Sequence, residues 1–340
     1  MSPATENFDA APNVSVDQAE RLAATHFGVR GTASPLEGER DRNFHLRTGD
    51  GAGFVFKVHP PSEDPAVVDF QIGALAHLAA VDPSLMVPRV MPSVGGESSV
   101  LLELGAGRPQ IARLLTYVPG VPLGHPLNTT RLRGLGHLLA RLDRGLRGYF
   151  HSAGRAPLLW DVQRADQVTP LLAHIEDRSL RDAASEGLER FARVVKPALP
   201  ALRAQVIHND AHHENVLADP ADRDRVVGAL DFGDLVHAPL IQELGVAASY
   251  HLGADDVLGP TAVLVGAYSE VHPLEADEIE VLADLMLARR AMAAAIGAWM
   301  SREAPEPFRL EAPTRRDALR RLLSLSRAEA TARLRRAAGV

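Results

Sequence analysis

A chain of 340 residues with an apolar share of 46% has room for about two domains and a sizeable core. Its 43 acidic side chains outnumber 36 basic ones, and the net charge of −7 argues against a nucleic-acid binder while remaining compatible with a cationic substrate. The absence of cysteine excludes a disulfide framework and a thiolate metal site, the first 18 residues lack the form of a secretory signal, and no apolar run could span a bilayer. The expected location is the cytoplasm, with neither membrane nor nucleic acid as partner.

Residues 16–27 have helical apolar spacing. A hairpin follows, with arms at 43–46 and 53–58 around the turn Gly49-Asp50-Gly51. Residues 63–80 read as a helix, and short strands are expected at 87–90, 100–104 and 111–117. The last of these runs into Pro119-Gly120-Val121-Pro122, whose punctuation marks a hinge between two lobes, 1–118 and 119–340. Beyond it the spacing predicts helices over 129–151, 180–194, 241–251, 260–270, 276–300 and 314–337. Two apolar stretches, 205–217 and 225–232, are too short for helices and carry polar residues where a strand should end. Loops at strand ends are where catalytic groups tend to sit. The leucines at 319, 322 and 323 suit a final helix packed on the second lobe rather than one offered to a membrane.

One compositional bias is informative. Lys57 and Lys196 are the only lysines, so arginine supplies 34 of the 36 basic residues. An ammonium point charge and a guanidinium fork are not interchangeable at a crowded phosphate site, which draws attention to Lys57 at the end of its strand. Lys196 reads as a chance survivor.

The segment from Val206 to Leu217 brackets a polar loop between two apolar pairs, with Asp210 and Asn215 five positions apart. Asp231 closes the next apolar strand. Phosphoryl transfer requires a positioned acceptor hydroxyl, metal on the phosphates and neutralised charge. An aspartate to take the hydroxyl proton, with an asparagine and a second aspartate as hard oxygen ligands for Mg2+, supplies those parts. His208, His212 and His213 with Glu214 could instead form a zinc cluster, but adjacent histidines cannot readily face one ion and the Asp/Asn spacing would go unexplained. Any one of these aspartates alone would read as a solvated loop residue or helix cap; order, spacing and strand context single them out together.

These ordered features resemble the aminoglycoside phosphotransferase and choline kinase superfamily, relatives of the protein kinases. The family's His-x-Asp with Asn five residues later stands here as His208, Asp210 and Asn215, and its metal-binding Asp as Asp231 in Leu230-Asp231-Phe232-Gly233. The resemblance implies Asp210 as base, Asn215 and Asp231 on magnesium, His208 as a brace, Lys57 on the nucleotide phosphates, and Glu243 beneath the catalytic loop. Within the superfamily, residues 39–44, 115–120, 160–162 and 231–237 are most similar to hydroxylysine kinase and to the kinase domain fused to some class III aminotransferases.

Two departures stand out. The position in register to pair with the lysine is Gln71 rather than Glu, and the phosphate loop offers Gly38 followed by residues 39–43 in place of Gly-x-Gly-x-x-Gly. Tight-turn amides could still cradle phosphate there, with Arg40, Arg42 and Asn43 assisting. By the same resemblance Thr116 and Val118 would present backbone groups to the purine, and His212, two residues after the base where protein kinases carry a lysine, would help at the transferred phosphate. Asp161, Asp166 and Asp234 are candidate carboxylates for a cationic acceptor, with helix capping or arginine pairing as their alternative; Trp160 and Trp299 read as core or lobe-interface residues.

The expected architecture is α+β and bilobal, of the protein-kinase type, with a small antiparallel-sheet lobe, a larger helical lobe, and nucleotide in the cleft. The expected activity is transfer of the γ-phosphoryl group of ATP or GTP to a hydroxyl of an amine-bearing metabolite such as a hydroxylated amino acid. An antibiotic-inactivating phosphotransferase and a nucleotide-binding pseudokinase are the alternatives. Monomer and homodimer are both open.

Overall fold

In the computed structural model, residues 11–38, 40–105, 108–303 and 313–340 are described. Glu39 and the first ten residues, part of the sequence reading above, lie outside them. The chain forms two units, one of residues up to 119 with a short return at 151–153, the other of 120–150 with 154–340.

The first unit opens with α1 (Val16–Phe27), started by a capping box between Ser15 and Gln18 and stopped by Gly28 at φ 68°. An antiparallel sheet follows, built from β1 (Gly31–Leu36), β2 (Arg42–Thr48), β3 (Gly53–Val58), β4 (Val90–Met91), β5 (Val100–Leu102) and β6 (Gln110–Thr116). Its order is β1-β2-β3-β6-β4, with β5 also on β6. Strand alternation sends Phe44, Leu46, Phe56, Val58 and Leu114 into one core with Ala19, Ala23 and Phe27 of α1. The opposite face carries a polar row in cross-strand register, Asn43, Lys57 and Arg113. On α2 (Pro65–Val81), capped by Asp64, Val68 and Ile72 pack with Ile111, and Gln71 accepts a hydrogen bond from Arg113.

In the second unit β7 (Val121–Pro122) precedes α3 (Thr129–Leu146). A 3-10 stretch, Val162–His174, leads to α4 (Arg178–Arg190), a π turn at Phe191–Val195 and the short α5 (Lys196–Ala198). Four short strands then alternate in pairing: β8 (Ala204–Ile207), β9 (Val216–Ala218), β10 (Val226–Ala229) and β11 (Val236–Pro239). β8 pairs antiparallel with β11, while β9 pairs antiparallel with β10 and β7. The remainder is helical: α6 (Ile241–Ser249), α7 (Gly259–Val271), the long α8 (Ala276–Glu303), α9 (Pro313–Leu323) and α10 (Arg327–Ala338). No helix among the described residues is long and apolar enough to cross a membrane.

Two sequence expectations need correction, and some strands went unread. The single helix expected over 314–337 is two, because Ser326 leaves the helix and caps α10 by accepting from Glu329 N–H at 3.1 Å. The helix expected to reach 151 ends at Leu146, before Gly148 turns at φ 80°. The strands β1 and β11 are absent from the sequence reading: Pro35 and Pro239 each interrupt the strand signal, and both lie in their sheet's outer strand, where a missing N–H is tolerated.

Candidate active site

The crossed pairing of the four short strands builds the site. β8 leads into residues 208–215 and on to β9; β10 leads into 230–235 and on to β11. Since β8 is bonded to β11 and β9 to β10, both linkers leave the strands side by side. Their backbones are joined at Leu230, whose N–H donates to the Asn215 carbonyl at 2.7 Å. The carbonyl of the same residue accepts from His208 Nε2 at 2.8 Å, while Asp210 N–H donates to His208 Nδ1 at 3.3 Å. Those partners assign His208 the tautomer with its proton on Nε2. Phe232 meets the ring edge-on, 4.8 Å between centroids. His208 is therefore a tie between the two linkers.

Two non-glycine residues with positive φ are Asn209 at 66° and Asp231 at 52°, one at each strand end. Asn and Asp tolerate this region better than other side chains, yet such residues still cost about 1–3 kcal/mol and persist only when their surroundings enforce them. At Asn209 the enforcement is visible. Its N–H donates to Glu243 Oε2 at 2.9 Å, and its side-chain oxygen accepts from Gln242 Nε2 at 2.9 Å. Both partners come from α6 and are fully buried, and burial raises the Glu243 carboxyl above its ordinary range. Glu243 thus supports the loop from beneath.

Asp210 is held from several directions. Asn215 Nδ2 donates to its Oδ2 at 2.7 Å and to its carbonyl at 3.0 Å, while Arg289 Nη2 lies 3.4 Å from Oδ1. Arg289 comes from α8 and is 2% exposed. It also donates to Tyr250 Oη at 3.1 Å and to the Trp160 carbonyl at 3.2 Å, and its guanidinium lies 4.6 Å over the Trp160 ring. Burial opposes its charge, but Tyr250, Asp210 and Asp234 keep it protonated and raise its pKa. His212 Nε2 is 3.5 Å from Asp210 Oδ2, and its Nδ1 accepts from Glu214 N–H. Burial works against the imidazolium here too, but the Asp210 carboxylate outweighs it and the pKa rises.

The oxygen set fits a hard cation. With Nδ2 of Asn215 committed to Asp210, its Oδ1 is the ligand atom it can offer. Asp231 is exposed and oriented by Gly233 N–H, which donates to its Oδ1 at 3.1 Å. Amide and carboxylate oxygens are the hard donors that magnesium prefers. The zinc alternative does not assemble: His208 is spent on the backbone, and among the described residues the one metal-sized group of histidine and carboxylate ligands is Asp41, His59 and Glu63, in the other unit.

The candidate substrate carboxylates separate. Asp161 is 2% exposed, caps the 3-10 stretch at Gln163 N–H and accepts from Gln242, so the capping alternative describes it. Asp166 is paired with Lys196, which gives that lysine a structural partner. Asp234 remains near Arg289 and half-buried. Arg289 and Tyr250 escaped sequence reading, and Trp160, read as a core or lobe-interface residue, is half-buried against Arg289. Nothing local marks an arginine on a long helix as the neighbour of a loop 79 residues earlier.

In the first unit Lys57 Nζ is 2.6 Å from Asp41 Oδ2. Arg42 donates to the Val14 carbonyl at 3.4 Å and covers the Phe44 ring, a structural placement rather than the phosphate-loop one expected of it. Asn43 stands beside Lys57 in register and packs against Gly38, where a Cβ would fall 2.5 Å from Asn43 Nδ2 and 2.8 Å from the Asp41 carbonyl. Only glycine fits that approach. Arg40 lies near the partly buried Glu63. Thr116 ends β6, its hydroxyl accepting from Arg89 N–H at 2.9 Å, and Val118 is buried two residues later.

A family model described as phosphotransferase enzyme family matches residues 32–285. Hydroxylysine kinase from Danio rerio is 26% identical over 336 residues, covering 93% of each chain. Homoserine kinase from Azorhizobium caulinodans is 30% identical over 267 residues, covering 73% of this chain and 74% of the relative. Among solved structures, an amicoumacin kinase in complex with AMP-PNP and Ca2+ superposes with a TM-score of 0.68 at 12% identity, covering 94% of each chain, a likeness of fold.

Proposed function

Because the chain belongs to the phosphotransferase enzyme family and is a small-molecule kinase with an alcohol group as acceptor, we propose that it moves the γ-phosphoryl group of ATP or GTP onto the hydroxyl of a hydroxylated amino acid. The observation that carries this reading is the backbone bond from Leu230, the residue before Asp231, to Asn215, while the Asn215 side chain itself grips Asp210. The acceptor class rests on two relatives whose names share one chemistry, a hydroxyl on an amino acid.

In this reading Asp210 takes the acceptor hydroxyl proton as the oxygen attacks the γ-phosphorus, and the bond to the leaving nucleoside diphosphate breaks without a phosphoenzyme. Asn215 Oδ1 and Asp231 would hold magnesium, which when bound neutralises charge on the phosphates. Arg289 and Asn215 fix the two carboxylate oxygens of Asp210, His208 fixes its backbone N–H, and Glu243 fixes that of Asn209 just before it. His212 stands beside the base to assist at the transferred group. Lys57, with Arg40, Asn43 and the amides of the turn at Gly38, would meet the phosphates, and Thr116 and Val118 the purine. Asp234 is the remaining carboxylate for the amine of the acceptor.

The test is release of nucleoside diphosphate from MgATP and MgGTP in the presence of 5-hydroxylysine, homoserine, an aminoglycoside and a cationic peptide antibiotic. Turnover is expected with a hydroxylated amino acid. Faster turnover of a drug at low concentration would replace this reading with a resistance enzyme. Nucleotide binding without turnover of any acceptor would replace it with a pseudokinase.

A further inference from the structure

Lys57 has a carboxylate partner, and that carboxylate stands on the phosphate turn rather than on the helix. Asp41 Oδ2 is 2.6 Å from the ammonium, and its other oxygen is 3.0 Å from His59 Nδ1. His59 is 2% exposed, and burial lowers it to about 4, so it faces Asp41 as a neutral imidazole and not as a rival cation. Burial works against Asp41's own charge, but Lys57 and His59 outweigh it and hold the carboxyl well below the usual range. Meanwhile Gln71, the α2 residue in register with the lysine, accepts from Arg113, the cross-strand neighbour of Lys57. The Asp41 carboxylate takes one of the ammonium's three donor directions.

Asp41 is itself fixed by the turn. Its carbonyl abuts Gly38 so closely that a Cβ there would lie 2.8 Å away, and Asn43, two residues on, is in register with Lys57. The conformation of the turn and the direction of the ammonium are therefore one variable.

We propose that Asp41 is the positioning residue for Lys57, taking over from a helix-borne acid, so that Gly38, Asp41, Asn43 and the lysine engage the nucleotide phosphates as a single unit. This rests on the reading above in which Lys57 meets those phosphates.

A double-mutant cycle tests it, with Kd and KM measured for MgATP and MgGTP on the full chain carrying Asp41→Asn, Lys57→Met, or both. Asp41→Asn is expected to weaken nucleotide affinity about tenfold, the size of one charge-assisted contact, with acceptor KM unchanged. The same change in the Lys57→Met background is expected to do nothing further. Equal losses in both backgrounds, or tighter nucleotide binding by Asp41→Asn, would overturn the proposal; the second result would make Asp41 a competitor of phosphate. Unchanged nucleotide binding and turnover in Lys57→Met alone would overturn the underlying role of the lysine, a separate failure. Should Asp41→Asn not fold, Asp41→Glu carries the same cycle: it keeps the charge one methylene further out and is expected to retain most of the affinity. Loss as severe as in Lys57→Met would count against the proposal.

Discussion

Asp210 and Lys57 are both charged groups held in place, but the constraints differ in range. Asp210 is reached by Arg289 from 79 residues away, and the backbone just before it is seated on Glu243, 34 residues on from Asn209. Lys57 takes its carboxylate from the turn that opens the neighbouring strand of the same hairpin. The geometry around Asp210 exists only once α6, α8 and both strand pairs have docked. The Asp41 contact of Lys57 lies within β2, β3 and the residues leading into them. A packing defect in the helices of the second unit should therefore register at the base, whereas a defect in the turn should register at the lysine alone.

The strongest way to break this comparison is at Asp210 itself. Asp210→Asn keeps the contact from Asn215 within reach but removes the proton acceptor, and is expected to lower turnover by about 10²–10⁴-fold with nucleotide affinity within about twofold. Steady-state kinetics beside a nucleotide titration check both halves, and near-normal turnover would assign the proton to another group. Next in size is Arg289→Met, which preserves the bulk beneath Trp160 and removes the guanidinium. Turnover is expected to fall about 10²-fold through misplacement of the base, with a stability loss of about 1–3 kcal/mol from the unpartnered Tyr250 and Trp160 groups. If Arg289→Met turns over like the parent, long-range packing does not hold Asp210.

The same contrast explains what could be read from the sequence. Asp210, Asn215 and Asp231 sit at the ends of short apolar runs, where strand termination and residue spacing are local signals, and the structure joins their linkers through Leu230. The hairpin arms around Gly49–Gly51 and the helices at 16–27 and 276–300 were legible for the same reason, since periodicity and turn chemistry act within a few residues. The neighbours that hold those side chains were not. Arg289 is one arginine among 34, on a helix whose face toward Asp210 is decided by tertiary contact, and Asp41 lies in a turn where arginines drew the eye. Asp161 could be read as a substrate group or as a cap, and only its burial decides for the cap.

A smaller effect sharpens the picture at the edge of the base. His212 presents Nε2 to Asp210 at 3.5 Å, a long contact, so it adds to the environment of the base without fixing it. His212→Ala is expected to lower turnover about tenfold, equivalent to ~1.4 kcal/mol of barrier. Unchanged turnover from pH 6 to pH 8 would remove His212 from the mechanism.

The long-range packing also buries acids that touch no reacting group, and their cost should show in the pH dependence of stability. Asp143 on α3 is fully buried, and its Oδ2 accepts from Tyr268 Oη on α7 at 2.6 Å. Burial, reinforced by the nearby charge of Glu243, raises its carboxyl well above the ordinary aspartate value. The native protein therefore keeps a proton that the unfolded chain releases near pH 3.9. The stability linked to that proton is whole below the unfolded value and drains away as pH rises through the native one. Asp143→Asn has no proton to release and can still accept from Tyr268. Its stability relative to the parent is expected to climb with pH, by up to about 1.4 kcal/mol per unit across that window, in denaturant unfolding followed from pH 5 to pH 9. Parallel profiles would mean that Asp143 is ionised in the native core, its charge compensated by the surrounding helices.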